Sequence, residues 1–381
     1  MEGVTDFPMR LWYHLVSQPD FMSTPFLRIT ESYPGGRLPQ KFFPEIAIEP
    51  DTLPYEVTPQ VMTANAYHLT YPVSKLLDKV RFVEINCGCP APKTVGGGAG
   101  SSLLRDPNAW EVFLRDVERL LPADRIRIKM RTGYSDHLDF DRLLNGIKPI
   151  PFNQLTIHGR TKEQKYTGLA RWDLIEQANQ SLKVPVVGSG DICSLEDLKE
   201  KLTLAPSVNK FIIGRGALRN PWIFEEFRTG KPAEISPQDL ILTLKTLGVF
   251  YQSWLTHPAK LIEFASTGIM RLTSGSPEFN WQSFYKTCLQ ELLGEETDTE
   301  VDFIPPVLGR VKLLWNYIRS SLPEAFFISP ILRSKTIQQF SERYWRICHQ
   351  ENITDKPFSL SHNSQFDWVY TSNKKSPRDA N

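Results

Sequence analysis

The stretch Asn86-Cys87-Gly88-Cys89-Pro90 closes a short β-rich run, and glycines follow at positions 96, 97, 98 and 100. This order sets a thiol at the carboxyl end of a strand, on a loop whose glycines let backbone approach a ligand. In a parallel α/β barrel, that end of the strand is where chemistry happens. A thiol has an ordinary pKa of about 8.5 and is mostly protonated at neutral pH. It can therefore donate a proton where a carboxylic acid would already be ionised. Positive neighbours favour thiolate, so Cys89 is expected to sit off the axis joining Lys129 and Arg131. Other strand ends carry chemistry too. Lys129 and Arg131 alternate onto one side of their strand, and His158, Gly159 and Arg160 close the next, with Tyr166 just beyond. Gly188-Ser189-Gly190-Asp191 and Gly214-Arg215-Gly216 are small-residue turns leading towards helices, positions that bind phosphate through backbone N–H groups in barrels. A phosphate-anchored cofactor ringed by a lysine, a histidine and a thiol is a coherent reading.

The remaining cysteines point elsewhere. Cys87 and Cys89 have no matching Cys/His pair, so no metal site is expected, and Cys87 reads as a packed thiol. Cys193, Cys288 and Cys348 read as structural. Residues 96–100 lack the Gly-Lys-Ser/Thr ending of a phosphate cradle and read as a mobile lid over the site.

The elements that position these groups recur along the first 220 residues or so. Seven short β-type runs stand at 26–30, 60–63, 82–86, 126–130, 154–158, 184–188 and 211–214. Most are near-continuous apolar runs, as parallel strands buried on both faces require. Amphipathic stretches such as 109–121 and 195–202 fit crossover helices between them. This alternation predicts a TIM (β/α)₈ barrel over residues 1–230, with a doubly wound sheet as the competing architecture. The count is one short, and the missing strand is the first, because residues 1–6 already read like a post-strand loop. Residues 236–350 show helical periodicity, as at Leu240, Leu244, Leu247 and Tyr251, and predict a smaller all-α domain. Within it, 274–302 reads as an inserted loop or short helix, and 351–381 as a polar, disordered tail.

Composition limits the function classes. The 381-residue chain is 41% hydrophobic, and no apolar run approaches the length of a membrane span. An amino terminus with neither a basic region nor an apolar core is not expected to be a signal peptide. Five cysteines, mostly scattered, fit a reducing, cytoplasmic setting. A net charge of +1 announces no polyanion partner, so any such partner must meet a local patch. One exists: seven Arg/Lys face two acids between residues 305 and 346, with Lys312, Asn316 and Arg319 on one helical face.

Taken together, the motifs resemble those of the tRNA-dihydrouridine synthases. The matching segments are 1–6 (MEGVTD), 86–90 (NCGCP), 97–107 (GGAGSSLLRDP), 129–133 (KMRTG), 158–164 (HGRTKEQ) with Tyr166, 190–192 (GDI) and 214–218 (GRGAL). The likeness spans about residues 1–225 and continues more weakly through 309–318 (GRVKLLWNYI). The NCGCP and HGRTKEQ forms are most similar to the bacterial C-type subfamily, which modifies position 16 in the D-loop. The resemblance implies an FMN enzyme that reduces the uracil C5=C6 bond in tRNA with NADPH as reductant. It implies Cys89 as the acid that protonates C5. It places Gln60, Lys129 and His158 around the flavin ring, Gly190, Asp191, Gly214 and Arg215 at the FMN phosphate, and Met1 among the cofactor contacts. Asn86, Arg131 and Tyr166 match substrate contacts, and the target base must leave its stack at a cost of about a few kcal/mol.

Two departures stand out. The family carries about ten residues ahead of Met1 that form the first strand, so the expected start lies upstream; otherwise the barrel has an exposed edge. Gly188-Ser189 stands where the family commonly has Ala-Asn, and one residue is extra before Lys93, which stays unassigned. Two other functions compete: a barrel flavoenzyme acting on a free pyrimidine, and an inactive RNA-binding homologue. The expected protein is a monomer with tRNA as partner and no membrane contact. No Gly-x-Gly-x-x-Gly fingerprint follows a strand, so the nicotinamide is expected to visit without a domain of its own.

Overall fold

The computed structural model describes residues 4–33, 43–48, 52–269, 279–296, 301–328 and 330–360. Its sheet holds β1 (Phe21–Arg28), β2 (Glu56–Met62), β3 (Val83–Asn86), β4 (Ile126–Arg131), β5 (Gln154–His158), β6 (Val186–Ser189) and β7 (Phe211–Ile212). The strands pair in sequential order, every pair parallel. A doubly wound sheet would reverse its strand order part-way; this one does not. Side chains also bond across an intervening strand. Arg127 on β4 donates to Thr58 on β2 (2.8 Å), and Thr156 on β5 donates to Glu84 on β3 (3.4 Å). Such reach requires a strongly curled sheet, and the architecture is that of a TIM-type barrel. Among the described residues no ladder joins β7 to β1.

The strands differ from the near-continuous apolar reading in one respect. On β3 and β4, Val83 and Ile85, and Ile126, Ile128 and Met130, are buried beside the helices, while Glu84, Asn86, Arg127, Lys129 and Arg131 alternate with them. Inward faces are polar. The outer helices bury large side chains, Trp110 on Pro107–Leu120 and Trp172 on Trp172–Ser181 among them. Helix Pro107–Leu120 starts where Asp106 accepts from the Asn108 N–H (2.9 Å), and Ser194 caps Leu195–Leu204 likewise at Asp197 (3.1 Å). β1 carries a bulge between Ser23 and Phe26; Pro25, lacking an N–H, falls there, and Thr24 Oγ1 accepts from the Gln60 N–H.

Beyond the sheet the chain is helical. Helix Pro237–Thr256 is buried along most of its length, and Trp12 from Phe7–Ser17 donates to its Thr243 carbonyl (2.7 Å). Tyr13 donates to the Ala217 carbonyl (2.8 Å), tying the first helix to the segment after β7. The 274–302 stretch, read as an inserted loop or short helix, contains the short helix Trp281–Cys288, which packs Phe284 and Cys288 into the core and runs on as a π-helical turn over Leu289–Leu293. One sequence expectation needs correction. Residues 351–360 of the expected tail are ordered, with Phe358 paired antiparallel to Ile235. Residues 361–381, and Met1, lie outside the described residues. No described helix is long and apolar enough to cross a membrane.

Candidate active site

Cys89 sits on the turn that leaves β3, and a single side chain organises that turn. Asn86 Oδ1 accepts from the N–H groups of Gly88 (3.0 Å) and Cys89 (3.1 Å). Asn86 Nδ2 donates to Gln60 Oε1 (3.2 Å), and Gln60 Nε2 donates to Glu84 Oε1. Ser101 clasps the turn from above, donating its N–H (3.1 Å) and hydroxyl (2.8 Å) to the Cys89 carbonyl. The half-buried Cys89 thiol donates to Thr94 Oγ1 at 3.8 Å, whereas Cys87 is fully buried and burial pushes its thiol well up.

The glycine segment serves this turn by contact. Gly100 has φ +61°, and a Cβ there would lie 2.9 Å from the Cys89 carbonyl oxygen. A Cβ on Gly97 would strike the Arg28 guanidinium. Of these glycines, Gly100 packs against the thiol's loop.

Charge gathers on the neighbouring strand ends. Arg131 donates from Nε to the Gly88 carbonyl (2.8 Å) and from Nη1 to those of Thr161 (2.8 Å) and Lys165 (2.9 Å). The expectation that Cys89 lies off the Lys129–Arg131 axis is therefore corrected for Arg131, which holds the carbonyl of the residue beside it. Burial lowers the Arg131 guanidinium to about 10. The Tyr166 ring lies 4.7 Å from the Arg215 guanidinium, 5.8 Å from that of Arg131 and 6.5 Å from the His158 ring. His158 is held well below its ordinary range, first by burial and then by Arg131, Arg160, Lys129 and Arg215. Its imidazole is neutral at neutral pH. Burial also lowers Lys129 and raises Glu84, each being the strongest influence opposing the shift of the other.

Gly190, at φ +126°, leaves its carbonyl to accept from Trp172 Nε1 (2.9 Å), and a Cβ there would meet Ala170 at 2.7 Å. Asp191 pairs with Arg160 (2.7 Å) and accepts from the Ala170 N–H (2.8 Å), so its carboxylate braces the loop between β5 and β6. Gly214 precedes the short helix Arg215–Arg219, and a Cβ on Gly216 would strike the Ile192 carbonyl. The sequence-derived residues thus meet around one mouth, Met1 excepted. Glu84, Thr94, Ser101 and Tyr317 were missed. Alternation on β3 marks Glu84, two residues before Asn86. Tyr317, from helix Pro305–Ile318, is legible only in three dimensions, near Arg215 and Tyr166.

The donor set suits an anionic, phosphate-bearing ring. Four cations surround one neutral imidazole, and Arg160 Nη1 is buried without a hydrogen-bond partner among the described residues. Among these residues no cluster of His, Cys, Asp or Glu is arranged to hold a metal.

A family model described as dihydrouridine synthase (Dus) matches residues 1–270. The chain belongs to this family. Among its relatives is the tRNA-dihydrouridine(47) synthase (NAD(P)(+)) of Coprinopsis cinerea, 30% identical over 206 residues, 48% of this chain and 30% of that protein. Another is the "Probable tRNA-dihydrouridine synthase" of Rickettsia conorii, 36% identical over 149 residues, 38% of this chain and 44% of that one. A third is the tRNA-dihydrouridine(47) synthase (NAD(P)(+))-like protein of Homo sapiens, 32% identical over 189 residues, 49% of this chain and 28% of its own. The chain spans less than half the length of these relatives. A solved structure of the old yellow enzyme from Trypanosoma cruzi matches 58% of this chain and 82% of its own at TM-score 0.42 and 9% identity.

Proposed function

We propose that this Dus protein reduces a tRNA uridine to 5,6-dihydrouridine with FMN and NADPH. The observation that carries the reading is the Cys89 thiol on a turn held by Asn86, Ser101 and Arg131, within a mouth where the cations Lys129, Arg131 and Arg215 surround a neutral His158. FMN, when bound, supplies the hydride that adds to C6 of the uracil. Cys89 gives its proton to C5, so the ring gains one hydride and one proton and the C5=C6 bond becomes single. Gln60, Lys129 and His158 would border the flavin ring, the lysine offering charge to its reduced, anionic form. Gly190, Asp191, Gly214 and Arg215 would hold the phosphate end, Asp191 through its backbone because its carboxylate is engaged with Arg160. Tyr166 offers a face to the extruded base, and Arg131 and Asn86 stand where its polar edge would be read.

We place the modified uridine in the D-loop at position 16 on the motif resemblance, although two relatives are named for position 47. Residues 236–350 would hold the tRNA. Five free cysteines suit a cytoplasmic enzyme, and we take it as a monomer. Mapping dihydrouridine in tRNA from cells lacking and regaining this protein tests the reading. Loss and return at position 16 supports it, a change at position 47 reassigns the uridine, and no change overturns it.

A further inference from the structure

Glu84 is buried inside the barrel, 1% exposed, two residues before Asn86 on the same strand face. Both its oxygens accept: Oε1 from Gln60 Nε2, Oε2 from the Thr156 hydroxyl at 3.4 Å. A carboxylate can only accept, so the Gln60 amide must turn its NH₂ towards it. The Gln60 carbonyl then faces away and accepts from Asn86 Nδ2. That in turn leaves Asn86 Oδ1 to take the Gly88 and Cys89 N–H groups. With Glu84 ionised, the state that Lys129 beside it favours, every amide in the relay has one orientation because its first member has no proton to give.

We propose that Glu84 is a positioning residue whose carboxylate orients the Gln60 and Asn86 amides and, through them, holds the turn that presents Cys89. The inference rests on the functional reading only in taking Cys89 as the proton donor. Glutamine at position 84 presents either an acceptor or a donor, so the relay loses its direction while the volume of the site is kept.

The test is the iodoacetamide alkylation rate of Cys89, resolved by peptide mass spectrometry on the purified full chain. It is read in wild type, Glu84→Gln, Gln60→Ala and the double variant. Each single change is expected to raise the rate about threefold or more, with the double no faster than the faster single, as coupled residues require. A wild-type rate in Glu84→Gln, or a double variant equal to the product of the singles, overturns the proposal. Glu84→Asp covers the case in which Glu84→Gln fails to fold: it keeps the charge near Lys129 but withdraws it from Gln60, and is expected to raise the rate as well. A wild-type rate in Glu84→Asp also overturns the relay. The readout needs no tRNA, so coupled rates in a protein that makes no dihydrouridine would sink the functional reading and leave the relay standing.

Discussion

At neutral pH the His158 imidazole is uncharged, because burial and four surrounding cations all oppose its protonation. Its folded pKa lies below that of the unfolded chain, about 6.5. As pH falls through that value the unfolded chain takes up a proton that the native state refuses, so stability declines with acidification until the folded pKa is passed. His14, lowered by burial to about 4, acts in the same sense. The His158→Gln variant should therefore lose less stability than wild type between about pH 7.5 and 5.5 in urea titrations. Identical pH dependence of the two midpoints would contradict the burial account. A neutral His158 also donates or accepts one hydrogen bond per nitrogen, leaving the positive charge of the site to Lys129, Arg131 and Arg215.

The turn after β3 is the element on which the site depends, and its glycines are constrained by contact. Gly100→Ala would force a left-handed backbone and a Cβ 2.9 Å from the Cys89 carbonyl. A loss of about 1–3 kcal/mol is expected in thermal or denaturant unfolding, with turnover falling further than stability. Gly188→Ala would strike the buried Trp172 ring at 2.4 Å, with about 1–3 kcal/mol lost to overpacking but with the thiol's turn untouched. Much of this element architecture was legible beforehand, because outward apolar residues such as Ile126, Ile128 and Met130 mark the strands. β1 was read late, at 26–30, because Ser23, Thr24 and Pro25 interrupt its pattern at the bulge. Lys129 and Arg131 showed the inward polar face on one strand, but reading most runs as near-continuously apolar left Glu84 and Arg127 out of it. Helix Trp281–Cys288 was legible only as one of two alternatives, loop or short helix, because the acidic residues after it dominate the composition. The orientation of each amide, and which carboxylate meets which cation, were legible only from three-dimensional neighbours.

Across the whole molecule, the helical segment is joined to the mouth. Tyr251 and Arg310 both engage Asp6 (2.6 and 3.4 Å), and Tyr317 lies near Arg215 and Tyr166. Two basic residues of that segment meet neutral acceptors: Lys312 donates to the Ser334 carbonyl (3.1 Å) and Arg343 to that of Pro330 (2.9 Å). Their charge stays available to phosphates, which a near-neutral chain otherwise lacks. Lys312→Ala and Arg343→Ala should each weaken tRNA binding and flatten the slope of log affinity against log salt by about 1. An unchanged slope would remove those residues from the RNA surface. The central claim is that Cys89 protonates a uracil in tRNA. The most direct measurement is dihydrouridine formed in unmodified tRNA by the purified protein with FMN and NADPH, run beside Cys89→Ala. Product from wild type, with a rate about 10²–10⁴-fold lower in Cys89→Ala, is the predicted result. Equal rates in the two proteins, or tRNA bound by wild type and never reduced, would contradict it.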